Sequence, residues 1–249
     1  MNRIWGSTII VAGLVLTLGG APSWGQVPNT NDKSDINKSN TGGGTGALIA
    51  NTNGPGRNNT AYGTSALFNN STGNDNTAVG SFSLNAGNNG SNNSAFGSGA
   101  LKNSIGNKNT AVGAFALEAN DSDDSTAVGY HALQLNSGNA NTAVGAEVLE
   151  NNESGAGNTA IGEEALLNNR DGNYNTASGF KALLNNKTGS SNTAIGHGTL
   201  FLHTGGKGNT ALGWKSLEVW QCEIRDRSWL ARVKRFLGAS GLSRSRVRK

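Results

Sequence analysis

The feature that most constrains this chain is a glycine that returns at an almost fixed interval, each time after a Thr/Ser-Ala-x triplet. It stands at Gly63, Gly80, Gly97, Gly113, Gly129, Gly145, Gly162, Gly179, Gly196 and Gly213. The steps between them are 17, 17, 16, 16, 16, 17, 17, 17 and 17 residues. A leucine follows four residues later in every unit, from Leu67 to Leu217, so the units read NTAVGxxAL with small variations. A helical-hairpin repeat runs to about 34 residues, so this period excludes it. A coil of this length suits a β-solenoid, in which short strands and tight turns stack coil upon coil. The expected fold is therefore all-β, a parallel solenoid of about ten coils over residues 44–218, with Gly46-Ala47-Leu48 as part of a degenerate earlier unit. At the strand spacing of ~4.8 Å, ten coils make a rod on the order of 50 Å long.

Composition agrees with that reading. The chain holds 37 glycines and 3 prolines among 249 residues, with 14% charged side chains. It is too polar for one thick apolar core and too weakly charged for a charge-rich disordered chain. Within each unit, Thr-Ala-x alternates, so Thr77 and Val79 are expected on one face and Ala78 on the other. Val/Ile and Leu are the expected core, with Ala61, Ala78 and Ala95 facing outward. The x-Ala-Leu segment (Ala66-Leu67 and its copies) is the expected second strand. Asn59, Asn76, Asn93, Asn109, Asn141, Asn158, Asn175, Asn192 and Asn209 precede the Thr/Ser position and fall in one column, where amides can pair along the stack. A second glycine lies four residues before most Thr/Ser positions (Gly73, Gly90, Gly106, Gly138, Gly155, Gly172, Gly189, Gly206). The extra residue of the longer coils therefore falls between Leu and this glycine, in a loop that accepts length change. Ser125 replaces the column Asn in the one unit lacking the second glycine, where a looser coil is expected. Two large apolar side chains per coil is little burial for a free-standing rod. Lateral association is expected, with the outward alanines letting rods approach.

The ends differ from the body. Arg3, the apolar run Ile9–Leu18 and small residues at Ser23 and Gly25 read as a signal peptide over residues 1–25. The run is shorter than the ~20 residues a bilayer span needs. Residues 26–43 read as a flexible polar linker. The repeat stops after Leu217. Residues 219–249 carry 9 Lys/Arg against 2 Asp/Glu, whereas residues 1–218 carry 11 against 14. The tail holds the single cysteine, Cys222, so no internal disulfide forms. Trp229, Leu230, Val233, Phe236 and Leu237 fall at helical spacing among basic residues, the pattern of a membrane-surface helix. An out-of-frame ending is the plainer reading of this segment, because no periodicity crosses the junction.

Through NTAVG and NTAIG, residues 58–217 resemble the head repeats of YadA-like trimeric autotransporter adhesins, whose signature is approximately NSVAIGxxS. Thr here stands where that family usually has Val, and the coil is longer than that family's usual one. The resemblance implies a left-handed parallel β-roll, three chains per head, a surface location, and adhesion to host or matrix surfaces. A heptad stalk and the strands of a membrane-barrel anchor, which accompany such heads, are not found in the sequence.

No residue is assigned a catalytic, cofactor-binding or metal-binding role, and no cofactor is expected. His131, His197 and His203 occupy variable positions of different units and read as solvated surface residues. Asp121, Asp123 and Asp124 lack the spacing of a calcium loop, and the glycines form no phosphate-binding GxxxxGK[ST]. The expected role is non-enzymatic: an exported adhesin-like homotrimer that binds surfaces through stacked coil faces, with no nucleic-acid partner and no visible integral membrane anchor. An ice- or carbohydrate-binding solenoid is the alternative, resting on the Thr column from Thr60 to Thr210, along with a fibre or spacer without a specific ligand. An ice-binding face wants two outward Thr columns; only one is present, and the resemblance turns it inward.

Overall fold

A computed structural model describes residues 10–11, 14–15, 39–52, 55–86 and 90–213. The polar linker up to residue 38, the basic tail with Cys222 and the amphipathic pattern at Trp229 lie outside these residues. So does most of the signal-peptide segment, of which Ile10–Val11 and Leu14–Val15 pair as antiparallel strands.

The body is an all-β parallel solenoid. Eleven three-residue strands form one parallel sheet in coil order, from Thr41–Gly43 and Thr60–Tyr62 through Thr126–Val128 to Thr210–Leu212. Each strand pairs only with the coils before and after it, Thr on Thr and Ala on Ala, as in Thr126↔Thr142 and Ala127↔Ala143. Coils of 16 and 17 residues keep this register alike. The length difference is confined to the stretch before the second glycine: Asn136-Ser137-Gly138 in a short coil corresponds to Asn70-Ser71-Thr72-Gly73 in a long one. Among the described residues the helical element is a 3-10 turn, Ile49–Thr52.

The alternation Thr-Ala-Val is present, but its two faces are reversed from the sequence expectation. Ala61, Ala78, Ala95 and every later strand alanine face inward and are buried, whereas Val79, Val112, Val128 and Val144 are exposed. The reason is width. Each coil encloses a narrow interior already occupied by a leucine from the opposite wall, and only a methyl group fits between strand and leucine. The β-branched residue goes outside, where a pleated surface suits it.

The x-Ala-Leu segment is likewise a turn and not a second strand. Ala132 and Leu133 are consecutive and both fully buried, which a strand, with its alternating side chains, cannot achieve. The backbone instead enters the left-handed region twice, at His131 (φ 54) and at Leu133 (φ 51), and this pattern recurs through the stack, as at Phe82 and Leu84. A short second ladder does form, just beyond the leucine and in three coils: Ala119–Asn120, Leu135–Asn136 and Asn151–Asn152.

The polar half of the interior consists of two asparagine columns. In the first, the expected one, each Oδ1 accepts the backbone N–H of the next column Asn, as from Asn76 to Asn59 at 3.0 Å. Each Nδ2 donates to the next coil's second glycine carbonyl, as from Asn76 to Gly90 at 2.9 Å. The left-handed residue of this turn is the one before the Asn, such as Asp75 (φ 57). The second column, three residues after the leucine, comprises Asn70, Asn120, Asn136, Asn152, Asn169 and Asn186, all buried. Asn152 Nδ2 donates to Asn136 Oδ1 at 2.7 Å and Asn169 Nδ2 to Asn152 Oδ1 at 2.7 Å. Such stacked amides satisfy one another's donors and acceptors where water is excluded.

The unit with Ser125 keeps the strand register and its backbone bonds and is loosened only at the Ser125 side chain. Ser122 Oγ donates to Asn120 Oδ1 at 2.7 Å, Asn109 Nδ2 donates to the Ser122 carbonyl at 2.8 Å, and the Ser125 N–H donates to Asn109 Oδ1 at 2.9 Å. The backbone bonds of this coil are thus kept, while the Ser125 hydroxyl accepts the Asn141 N–H at 3.4 Å where a column amide accepts its equivalent at 2.8 Å, as from Asn158 to Asn141.

Candidate interaction surface

With the alanines inside, the outer face of the long sheet presents two parallel columns. One is Thr/Ser, from Thr60 to Thr210, mostly half-buried. The other is apolar and solvent-exposed: Tyr62, Val79, Phe96, Val112, Val128, Val144, Ile161, Ile195 and Leu212, with exposures from 37% at Val79 to 65% at Leu212. Ser178 is its one polar member. These side chains sit at strand spacing from Tyr62 to Leu212, with Gly43 at the same place in the first strand, so they form one stripe and not scattered exposed residues. A stripe of this kind is a candidate interaction site.

The neighbouring edge, the turn after each first glycine, carries the large variable residues. There the Tyr130 ring stacks on His131 (centroids 3.9 Å, 19° between planes), and Phe115 meets both edge-on. Tyr130 is half exposed, and the same column carries Ala114 and Ala146 in the coils on either side. Phe180 and His197 stack farther along, with Lys181 over the Phe180 ring. Ion pairs link successive coils on the exterior: Lys102–Glu118, Lys181–Glu164 and Arg170–Glu153.

Glu150 sits 3.9 Å from His131 Nδ1. Partial burial, reinforced by the nearby Glu147 carboxylate, raises its pKa, while His131 opposes this. A raised carboxyl pKa means that the charged form costs stability above the folded-state pKa, and that the cost vanishes below the unfolded value. Glu150→Gln is therefore expected to raise the melting temperature at pH 7.5, by an effect under about 1 kcal/mol as is usual near a surface. Thermal melts across pH should show the gain closing as the pH falls through the ordinary carboxylate range.

A further polar ladder runs outside the second glycine, through Asn74, Ser91, Asn107, Asp123, Asn139, Asn173 and Ser190. Its side chains accept backbone N–H groups from the preceding coil, as in Asn74 N–H to Ser91 Oγ and Asp123 N–H to Asn139 Oδ1, both 3.0 Å. It straps the coils in the sense opposite to the inner column. Asp123 belongs to this ladder and accepts from both the backbone and the side chain of Asn107. Asp124 pairs with Lys108. His131 and His197, expected as solvated surface residues, lie on the turn edge half-buried and stacked on Tyr130 and Phe180, and His203 is not at the surface: it is 1% exposed. Its place, three residues after Leu200, is the inward column held elsewhere by asparagine and, at Ser104, by serine.

Among the described residues, no group of three or more His, Cys, Asp or Glu is placed to hold a metal ion, and no helix is long and apolar enough to cross a membrane. No protein-family model, no curated protein and no solved structure matches the chain.

Proposed function

We propose that this solenoid is the head of an exported, surface-displayed adhesin-like protein that works as a bundle of three identical rods. The observation that carries this reading is the apolar stripe. A rod that exposes Val, Ile, Phe and Leu along its whole height is half of an interface, and a second copy of the same surface is the partner always available to it. Association through the stripe leaves the turn edges facing outward, with their aromatic stacks and alternating charges. Recognition is then spread over stacked coils and multiplied by three copies, a binding and structural role and not catalysis. The NTA[VI]G resemblance supports the number three and the adhesive role.

Val144→Asp places a carboxylate in the middle of the stripe without touching the interior. Beads coated with the intact chain are expected to be retained on at least one of collagen-, fibronectin-, laminin- or mucin-coated surfaces. Beads carrying Val144→Asp should be released at least about tenfold faster, since avidity is lost when copies separate. No retention on any of these surfaces, with the chain folded, contradicts an adhesive role.

One observation favours a second reading. The Thr column and the Val/Ile column lie side by side on the same flat outward face, not with Thr turned in, and such a repeated two-column face could order water at an ice surface. The same face cannot serve both ends. Thermal hysteresis in a purified sample of single-chain mass would select the ice-binding reading.

A further inference from the structure

The outer polar ladder has a missing rung, and the most exposed aromatic ring among the described residues stands beside it. From Asn74 to Ser190 each ladder position is Asn, Ser or Asp except Ala156. Of the ladder N–H groups from Asn74 to Asn173, only that of Asn139 therefore meets no side chain in the next coil. Asn139 is exposed, so this donor is open to a ligand. Tyr174 is 70% exposed. Its ring leans back onto the preceding coil, with Cδ1 and Cε1 in the space where a Cβ of Gly157 would lie. The backbone does not demand glycine at 157: Asp75, Lys108, Asp124 and Ala140 take the same left-handed conformation at the same place in other coils. The ring does demand it. Ala156 and Gly157 thus clear one coil of side chains, and Tyr174 leans over the cleared place. Contact along one ring edge, at this exposure, leaves a ring face to solvent.

We propose that this place binds the pyranose ring of a neutral sugar. A pyranose has a face of C–H groups that stacks on an aromatic ring, and a rim of hydroxyls that must keep their hydrogen bonds. The surroundings of Tyr174 supply both. Tyr174 is two coils from Asn139 and its ring reaches one coil back, which leaves about one coil, ~4.8 Å, between ring and open N–H. A single sugar ring spans that gap. On the same turn as Tyr174, Asp171 Oδ1 accepts the Ser154 hydroxyl at 2.9 Å, and Oδ2 is left for a ligand hydroxyl. Asn173 Nδ2 donates to the Asp171 carbonyl at 2.9 Å and braces the turn. The other described members of the Tyr174 column are Asn, Asp, Lys, Ala, Gly and Ser. An apolar peptide side chain would therefore find one ring and no pocket, and the Asp171 carboxylate disfavours an acidic sugar. The inference rests on the reading above only for its setting, a displayed binding surface, and does not need the copies to associate.

The test is saturation-transfer NMR on the folded full chain, with the methyl glycosides of glucose, galactose, mannose and N-acetylglucosamine as probes. Transfer to the C–H protons of at least one of them is expected. Tyr174→Ala should lose most of it, and Tyr174→Phe should keep it, because the ring face and not the hydroxyl makes the contact. Gly157→Asp, which the backbone accepts but the ring does not, should also lose it. Ala156→Asn restores the rung and takes up the Asn139 N–H, so it should weaken binding severalfold without loss of stability. Transfer to none of the four sugars overturns the inference, as does transfer unchanged in a folded Tyr174→Ala protein. Transfer to N-acetyl-prolinamide or N-acetyl-tyrosinamide and to no sugar makes this a peptide site and overturns it too. The adhesive reading has its own readout in the bead assay. Retained beads without sugar transfer leave that reading standing and sink this inference; sugar transfer without retention does the reverse.

Discussion

Asn141→Leu should be among the most damaging single changes in this protein, although leucine is close to asparagine in size and is the commonest large residue of the interior. Asn141 Nδ2 donates to the Gly138 and Gly155 carbonyls, both at 2.8 Å, and to Asn136 Oδ1 at 3.1 Å. Its Oδ1 accepts the Asn158 backbone N–H at 2.8 Å and the Asn158 amide at 3.2 Å. Leucine removes all of these and leaves two or three buried groups unpaired, each costing ~1–3 kcal/mol. The expected loss is about 3–6 kcal/mol, read from denaturant unfolding. Asn139→Ala, two residues away on the exposed outer ladder, strands only a backbone N–H that water can reach, and should cost about 1 kcal/mol or less. Equal losses at the two sites would show that the buried amide column does not hold the coils together.

Gly129→Ala should be comparably severe, for a different reason. Gly129 has φ 141, a conformation closed to L side chains, and a methyl group there would overlap the carbonyl oxygen of Gly145 in the next coil. At the first glycines successive backbones lie too close for a side chain between them, so even a methyl group forces two coils apart and breaks the Thr-Ala-x pairing beside it. The strain alone is of order 1–3 kcal/mol, and the overlap adds to it. Gly198→Ala is the matched control. Gly198 is left-handed (φ 62) but has open space where the Cβ would lie, and the same column elsewhere accepts Phe82, His131, Glu147 and Lys181 in that conformation. Its expected cost is about 1 kcal/mol. A Gly129→Ala protein melting within a few degrees of Gly198→Ala would contradict the close-packed stacking described here.

The stacking was legible in the sequence because it depends on period. Ten glycines at steps of 16 or 17 residues admit few folds, and the column of Asn59, Asn76 and their successors followed from the same spacing. What period does not encode is which side of a strand faces in. The alternation in Thr77-Ala78-Val79 is legible in the triplet, but the same triplet in a sheet that covers a wide core would turn its larger residue inside. In a coil this short the interior holds one leucine with the small residues beside and across from it, chiefly alanines, and that limit comes from coil closure, not from the triplet. The left-handed Leu84 and its copies were hidden for a related reason: a non-glycine residue in that conformation leaves no mark on composition. The second asparagine column did leave one. Asn120, Asn136, Asn152, Asn169 and Asn186 each stand three residues after a leucine, a regularity masked by the Asn-rich loop around them. The outer ladder was visible in the same way, as the Asn, Ser or Asp that follows the second glycine in most units.

The reversal of the strand faces also changes the physical basis for association. Outward alanines would have let rods approach; an outward column of Val, Ile and Phe supplies a reason for them to do so. Covering it removes exposed apolar surface along the sheet, in a protein whose described interior buries mainly alanines, leucines and hydrogen-bonded amides. The rod and its proposed bundle thus divide the apolar residues between them, Leu and Ala within each coil and Val and Ile between chains.

The most direct test is the mass of the purified full chain in dilute solution, by light scattering coupled to size separation, with circular dichroism confirming that it is folded. The single chain is 25.5 kDa. The account predicts a folded species of three times that mass, reduced to the single-chain value by Val144→Asp. A folded species of single-chain mass for the unmutated protein would contradict it, and would leave the Thr and Val/Ile face as a surface turned toward water.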